Sequence, residues 1–241
     1  EFRYSWRKQV PALAAAGFQV VTPDLRGYNL SPKPADVASY QMANIVDDVA
    51  ALIDRLGGAP CIVAGHDWGG FVAWYLAMTR PGLVRKLVIL NVPHPVPLSR
   101  EVHRSRDQKL RLAYQLFFRL PVLPELFMKL LGPRLLRRAG KFTPDDIRAY
   151  KRAWKGSMRT MLHYYRATQR YRGKLREMVK RIDIPVLMIW GEGDPVFIPE
   201  TLQDFSEWVP DLRIERIPGA GHFVQTDAPE RVNELLIRFM K

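Results

Sequence analysis

The sequence has little cysteine, no long apolar run and no cluster of metal ligands. Its 241 residues include one cysteine, Cys61, so no disulfide can form within the chain. Cys61 stands in the apolar run Pro60–Ala64, which is typical of a buried, inert thiol. No apolar run approaches the roughly 18 residues that cross a bilayer, so we expect no transmembrane segment. No His/Cys spacing matches a metal site, and we expect neither a metal nor another cofactor.

No signal peptide is recognisable, and with the single cysteine this favours a cytoplasmic location. The chain opens on Glu1-Phe2-Arg3 without an initiating methionine, so we expect that an upstream segment is missing.

Acidic residues are scarce in the middle of the chain. Between Ser99 and Arg181 there are 23 Lys and Arg against 6 Asp and Glu, a net charge of +17, whereas the other 158 residues carry −4. We interpret this charge chiefly as the solvated outer faces of amphipathic helices. The alternative is an acidic partner, either membrane headgroups or nucleic acid.

Strand-like and helix-like segments alternate on both sides of this basic region. The predicted strands are 18–22, 60–64, 87–92, 185–190 and 212–217, and the predicted helices are 4–16, 40–56, 71–79, 199–208 and 229–239. This order predicts an α/β fold with a mostly parallel sheet. The core then comprises residues 1–93 and 182–241, and residues 94–181 form a basic helical cap, or lid.

A tight turn joins the strand at 60–64 to the helix at 71–79. Its sequence, Gly65-His66-Asp67-Trp68-Gly69, has the pattern of a nucleophile elbow, with Asp67 in the place of the nucleophile. In such a turn Gly65 and Gly69 remove Cβ atoms that would clash, and the Trp68 N–H lies at a helix N-terminus, where it can stabilise an oxyanion. The alternative is an ordinary glycine-rich turn whose aspartate caps the helix.

Two later loops supply an acid and a histidine. Asp194 follows the strand at 185–190, and His222 follows the strand at 212–217, directly after the small residues Gly219-Ala220-Gly221. The order nucleophile, acid, histidine is the one expected of a hydrolase of this layout. A carboxylate behind the imidazole fixes its tautomer and stabilises its charged form. His66 is expected to pack or orient, and His94, His103 and His163 receive no catalytic role.

These residues resemble the α/β-hydrolase epoxide hydrolases of the soluble or microbial type, over nearly the whole chain. The resemblance is carried by Tyr4–Arg7, Asp24–Tyr28, Gly65–Gly70, Gly191–Asp194 and Gly221-His222. It implies an α/β-hydrolase fold with an inserted helical cap, Asp67 as nucleophile and His222 with Asp194 as the pair that activates water.

The same resemblance implies two cap tyrosines over the nucleophile. Tyr114 matches the first, in a segment that ends at the substrate-binding residue Phe118. Tyr165 matches the second better than Tyr164 does. The alternative for either tyrosine is a packing role within the cap. The implied reaction opens a small apolar epoxide with water to a vicinal diol.

Family members also carry a His-Gly-x-Pro segment and the first strands of the sheet, just upstream of the region matching Glu1-Phe2-Arg3. Neither is in this sequence, and we therefore expect a fragment. Haloalkane and haloacetate dehalogenases share the Asp nucleophile and remain the nearest alternative. A non-catalytic protein that binds an acidic partner is the second. A serine esterase is disfavoured because Asp67 holds the nucleophile position. We expect no nucleic-acid partner.

Overall fold

A computed structural model of the chain describes residues 2–58 and 60–241. Its centre is a four-stranded parallel sheet in the order β1-β2-β3-β4. The strands are β1 (Cys61–His66), β2 (Val84–Leu90), β3 (Val186–Gly191) and β4 (Leu212–Ile217). Parallel strands bring their carboxyl ends to one edge of the sheet. The residues that follow β1, β2, β3 and β4 therefore meet there.

The α-helices of the described residues are numbered in chain order. They are α1 (Val10–Ala15), α2 (Met42–Arg55), α3 (Trp68–Thr79), α4 (Pro95–Arg104), α5 (Arg106–Arg111), α6 (Tyr114–Phe117), α7 (Leu123–Ala139), α8 (Pro144–Trp154), α9 (Met158–Arg170), α10 (Arg172–Glu177), α11 (Val224–Asp227) and α12 (Pro229–Met240). Short 3-10 helices cover Arg3–Trp6, Ala38–Tyr40, Pro81–Leu83 and Pro199–Leu202. No helix among residues 2–58 and 60–241 combines the length and apolar character needed to cross a membrane.

The sheet is covered on both faces, which explains its continuous apolar strands. Alternate residues of β2 face opposite sides: Leu87 and Ile89 join the cluster packed with α2 and α3, whereas Val88 and Leu90 join the cluster packed with α12. Helix α3 is apolar around most of its circumference because it is buried on most sides. Helices α4 to α10 lie between β2 and β3 in the sequence.

Three sequence predictions of secondary structure were wrong. Residues 18–22 form no strand: they lie across a groove of about 320 Å³ from β1, and the described residues offer them no ladder partner. The predicted helix at 199–208 is only a 3-10 turn over Pro199–Leu202, which ends because Gln203 takes an extended backbone (φ −111°, ψ 157°) and Asp204 a left-handed one (φ 58°). The helix at 4–16 is two pieces, and α1 restarts with Pro11 in its first turn, where a proline is tolerated.

Candidate active site

Asp67 occupies a strained turn between β1 and α3. Its backbone has φ 51° and ψ −126°, a conformation that a non-glycine residue adopts at a cost and that is found mainly at functional sites. Gly65 permits the turn, because a Cβ there would lie 2.3 Å from the carbonyl oxygen of Gly69. The expected clash at Gly69 was wrong: a Cβ at that position meets open space. The second close approach is at Gly70, where an added Cβ would lie 3.1 Å from Cγ2 of Val92.

His222 lies between two carboxylates. Its Nε2 is 3.4 Å from Oδ1 of Asp67, and its Nδ1 is 2.9 Å from Oδ2 of Asp194. The imidazole is 6% exposed, and the carboxylate of Asp194 is completely buried. The turn after β1, the loop after β3 and the loop after β4 thus bring the predicted nucleophile, acid and histidine together at one edge of the sheet.

The charges in this cluster shift one another's pKa. Burial by itself lowers the pKa of His222, but Asp194 and Asp67 outweigh it and raise that pKa to about 10. Burial likewise raises the pKa of Asp67, but its hydrogen bond to His222 and the imidazolium charge leave it well below the ordinary value. The pKa of Asp194 is lowered in the same way. At neutral pH the arrangement is two carboxylates around an imidazolium.

Tyr114 and Tyr165 line the same cavity as Asp67 and His222, a space of about 260 Å³. Their rings meet edge to face, with centroids 6.0 Å apart, and Phe118 packs on both. Burial and the charge of Asp67 raise the pKa of both phenols. Tyr114 is 37% exposed, so burial acts more weakly on it than on Tyr165. Both hydroxyls remain protonated at neutral pH.

Tyr164, the weaker match for the second cap tyrosine, lies outside the cavity wall. It is 1% exposed, and its hydroxyl donates to the carbonyl oxygen of Arg26 at 2.7 Å. This hydrogen bond ties α9 to the loop after residues 18–22. The structure therefore brings Tyr165 to the cavity and gives Tyr164 a packing position.

Trp68 opens α3 and lines the cavity beside Asp67. The N–H groups of a first helical turn have no acceptor within the helix, so that of Trp68 is available to an oxygen near the Asp67 carboxylate. The Trp68 ring lies at right angles to Tyr165, with centroids 4.9 Å apart. Among residues 2–58 and 60–241 no group of three or more His, Cys, Asp or Glu side chains is arranged to hold a metal ion.

Comparison with known proteins places this geometry in a family. The model of the α/β-hydrolase fold matches residues 2–229. The chain belongs to the α/β-hydrolase family. A curated α/β-hydrolase superfamily protein of Bacillus subtilis, YfhM, is 36% identical over the whole chain and 87% of its own length. Human epoxide hydrolase 4 is 30% identical over the whole chain and 70% of its own length.

A solved structure supports the same family. A mutant of an epoxide hydrolase from Bacillus megaterium superposes on the chain with a TM-score of 0.91. It is 33% identical, over the whole of this chain and 89% of that one. As an α/β hydrolase, the chain is similar to proteins named epoxide hydrolases in both sequence and structure.

Two side chains of this α/β-hydrolase site were missed by sequence reasoning. Asn91 follows β2 with φ 46°; its Nδ2 donates to Oδ2 of Asp194 at 2.7 Å, and its Oδ1 accepts from the N–H of Gly191 at 2.9 Å. It holds the acid in place and ties β2 to β3. The signal was a polar residue directly after the four apolar residues Leu87–Leu90, but the predicted strand at 87–92 includes it.

The second is Gln108 of α5, which is fully buried. Its side chain donates to the carbonyl oxygen of Val196 at 3.0 Å and accepts from the N–H of Ile198 at 3.0 Å. It thereby fixes the inserted helices on the loop that carries Asp194. No sequence signal distinguishes it from the polar residues around it. His66, expected to pack or orient, places its Nε2 2.7 Å from the carbonyl oxygen of His222.

Proposed function

We propose that this α/β hydrolase opens epoxides with water to give vicinal diols, through an ester on Asp67. The observation that carries the proposal is the presence of Tyr114 and Tyr165 in the wall of the cavity that holds the Asp67–His222 pair, where the charge of Asp67 acts on the pKa of both phenols. A carboxylate nucleophile alone also suits haloalkanes, because a halide leaves without a proton. An epoxide oxygen leaves as an alkoxide and needs a proton donor, which a neutral phenol supplies.

The division of the chain supports this assignment. We propose residues 1–93 and 182–241 as the hydrolase core and residues 94–181 as the cap. The core contributes Asp67, Asp194 and His222, whereas the cap contributes Tyr114, Phe118 and Tyr165. The cap is fixed on the core by side chains such as Gln108 and Tyr164, so that the phenols and the nucleophile keep one geometry.

In the first step, an oxygen of Asp67 attacks an epoxide carbon. The carbon–oxygen bond of the ring breaks, and its oxygen takes a proton from Tyr114 or Tyr165. The products are an alkyl ester of Asp67 and a tyrosinate. Esterification removes one of the two carboxylate charges that hold up the pKa of His222. The imidazolium then releases its proton to the tyrosinate, and His222 becomes a base.

In the second step, His222 accepts a proton from water, and the water oxygen attacks the ester carbonyl of Asp67. The Trp68 N–H stabilises the tetrahedral oxyanion, a contact of a kind worth about 3–4 kcal/mol. The intermediate releases the alkoxide, which takes the proton from His222. The second proton of the water passes from Asp67 to His222, which restores the resting ion pair.

The cavity favours an apolar substrate. Its wall includes Phe118, Met128 and Trp154 beside the polar groups of the site. A structure of a Bacillus megaterium epoxide hydrolase mutant, 33% identical to this chain, is described as a complex with its product (R)-3-[1]naphthyloxy-propane-1,2-diol. From this similarity we propose that the substrates of this chain include glycidyl ethers that carry an aromatic group.

We expect the full protein to convert phenyl glycidyl ether to its diol, and the Asp67→Asn variant to form no more diol than buffer does. Asparagine keeps the shape of the side chain but is a very poor nucleophile. The diol is measured by chromatography, with Asp24→Asn as the matched control. Release of halide from 1-bromobutane in the absence of any diol would favour the dehalogenase alternative.

A further inference from the structure

The outer surface of the inserted helices carries apolar side chains in open solvent. Leu120, Val122, Leu123, Leu126 and Leu130 are between 45 and 71% exposed. Leu120 and Val122 directly precede α7, and Leu123, Leu126 and Leu130 lie in its first half. The exposed apolar surface of these side chains adds nothing to the stability of the fold, because it remains in water.

Cations continue the same surface. Leu123, Leu126, Leu130, Arg134 and Arg137 recur at helical spacing and share one face of α7. Lys129 and Arg138 are also exposed, at the sides of this face, and the exposed Arg119 precedes α7 next to Leu120. None of these five cations has an ion-pair partner among residues 2–58 and 60–241, and the acid of α7, Glu125, pairs with Arg166 instead. We call these leucines, Val122 and these cations the α7 face.

We propose that the α7 face docks on an anionic lipid bilayer. A helix lying in the bilayer interface needs apolar side chains that enter the acyl boundary and cations that meet the headgroups, and this face combines both. A second copy of the chain is disfavoured as the occupant, because it would bring two surfaces of like charge together. Nucleic acid would use the cations and leave the leucines in water.

The position of the cavity fits this docking. Met128, Gly132 and Leu136 line the cavity from the inner side of α7. Leu135 also lines it and is 44% exposed, at the border between the cavity and the outer surface. An apolar epoxide dissolved in the bilayer therefore lies within one helix diameter of the cavity. Entry of an epoxide from the bilayer rests on the proposed function, whereas binding of the α7 face to lipid does not.

The test is cosedimentation of the full chain with vesicles of phosphatidylcholine alone and of phosphatidylcholine with about one third phosphatidylglycerol. We expect at least tenfold tighter binding to the anionic vesicles, weakened by 0.5 M salt, since screening reduces the attraction. The variant Arg134→Gln/Arg137→Gln/Arg138→Gln should lose about a hundredfold. The variant Leu126→Gln/Leu130→Gln, which keeps every charge, should lose at least tenfold.

Leu30→Gln is the matched control, because Leu30 is 74% exposed outside the inserted helices, and it should bind as the parent does. All the substituted side chains are exposed, and melting curves of the variants should overlie that of the parent. Equal binding to neutral and anionic vesicles, or none, overturns the proposal. So does tighter binding to duplex DNA than to anionic vesicles, or a dimer that Leu126→Gln/Leu130→Gln dissociates. Diol formation is not the readout, so failure here leaves the proposed chemistry untouched.

Discussion

The His222→Gln variant is expected to stop after the first chemical step, with the opened epoxide attached to Asp67. Glutamine can hydrogen-bond to both carboxylates, but it cannot accept a proton from water. Attack on the epoxide by Asp67 needs the phenols and not the imidazole, so the ester still forms. Turnover should fall by about 10³-fold or more, the scale of removing a catalytic base.

Intact-protein mass spectrometry after mixing with phenyl glycidyl ether measures the result. We expect one equivalent of protein heavier by the mass of the epoxide, with the addition located at Asp67 by peptide mapping. His103→Gln is the matched control, because His103 is exposed and its ring Nδ1 hydrogen-bonds with the carbonyl oxygen of Ser99. That variant should turn over normally and show no adduct. An inactive His222→Gln protein of unchanged mass would contradict the role given to His222.

Replacement of Tyr114 and Tyr165 together is expected to have the second large effect. The Tyr114→Phe/Tyr165→Phe variant keeps the rings that pack on Phe118 and removes the only phenol hydroxyls assigned to the epoxide oxygen. General acid catalysis contributes about 10²- to 10⁴-fold, and the first step should slow by that factor. The measurement is the rate of ester formation in a single turnover, read by rapid quench.

The chain supplies an internal control in Tyr164→Phe. This neighbouring tyrosine loses a buried hydrogen bond to Arg26, which costs about 1 kcal/mol of stability, but its hydroxyl does not face the cavity. Its rate of ester formation should match that of the parent. A double variant that opens the epoxide within tenfold of the parent rate would assign the proton to another donor.

Much of the site could be predicted because its residues follow strands whose apolar runs are unambiguous. Three segments of the predicted strands overlap β1, β2 and β3, the segment at 212–217 coincides with β4, and parallel strands then place Asp67, Asp194 and His222 at one edge. The short motifs on those loops, such as Gly65–Gly70 and Gly191–Asp194, identified the catalytic candidates themselves. The family resemblance supplied Tyr114 and Tyr165, which no spacing along the chain could connect to residues so far away.

The residues that escaped prediction act through tertiary contacts. Asn91 matters because β2 and β3 are neighbours, and Gln108 because α5 packs on the loop after β3. The failed strand at 18–22 had the right local pattern, but a strand is made by its hydrogen-bonded neighbour and not by its own side chains. The sequence indicated only the positive charge of the region that contains the α7 face. The structure shows that the leucines and the cations of this face are exposed on the same surface.

The covalent bond between Asp67 and the substrate is tested by a single turnover in ¹⁸O-labelled water. With protein in excess over phenyl glycidyl ether, the diol should carry ordinary oxygen, transferred from the Asp67 carboxylate. The peptide containing Asp67 should gain one ¹⁸O atom. A first-turnover diol that carries ¹⁸O, with an unlabelled Asp67 peptide, would mean direct attack by water and would rule out the Asp67 ester.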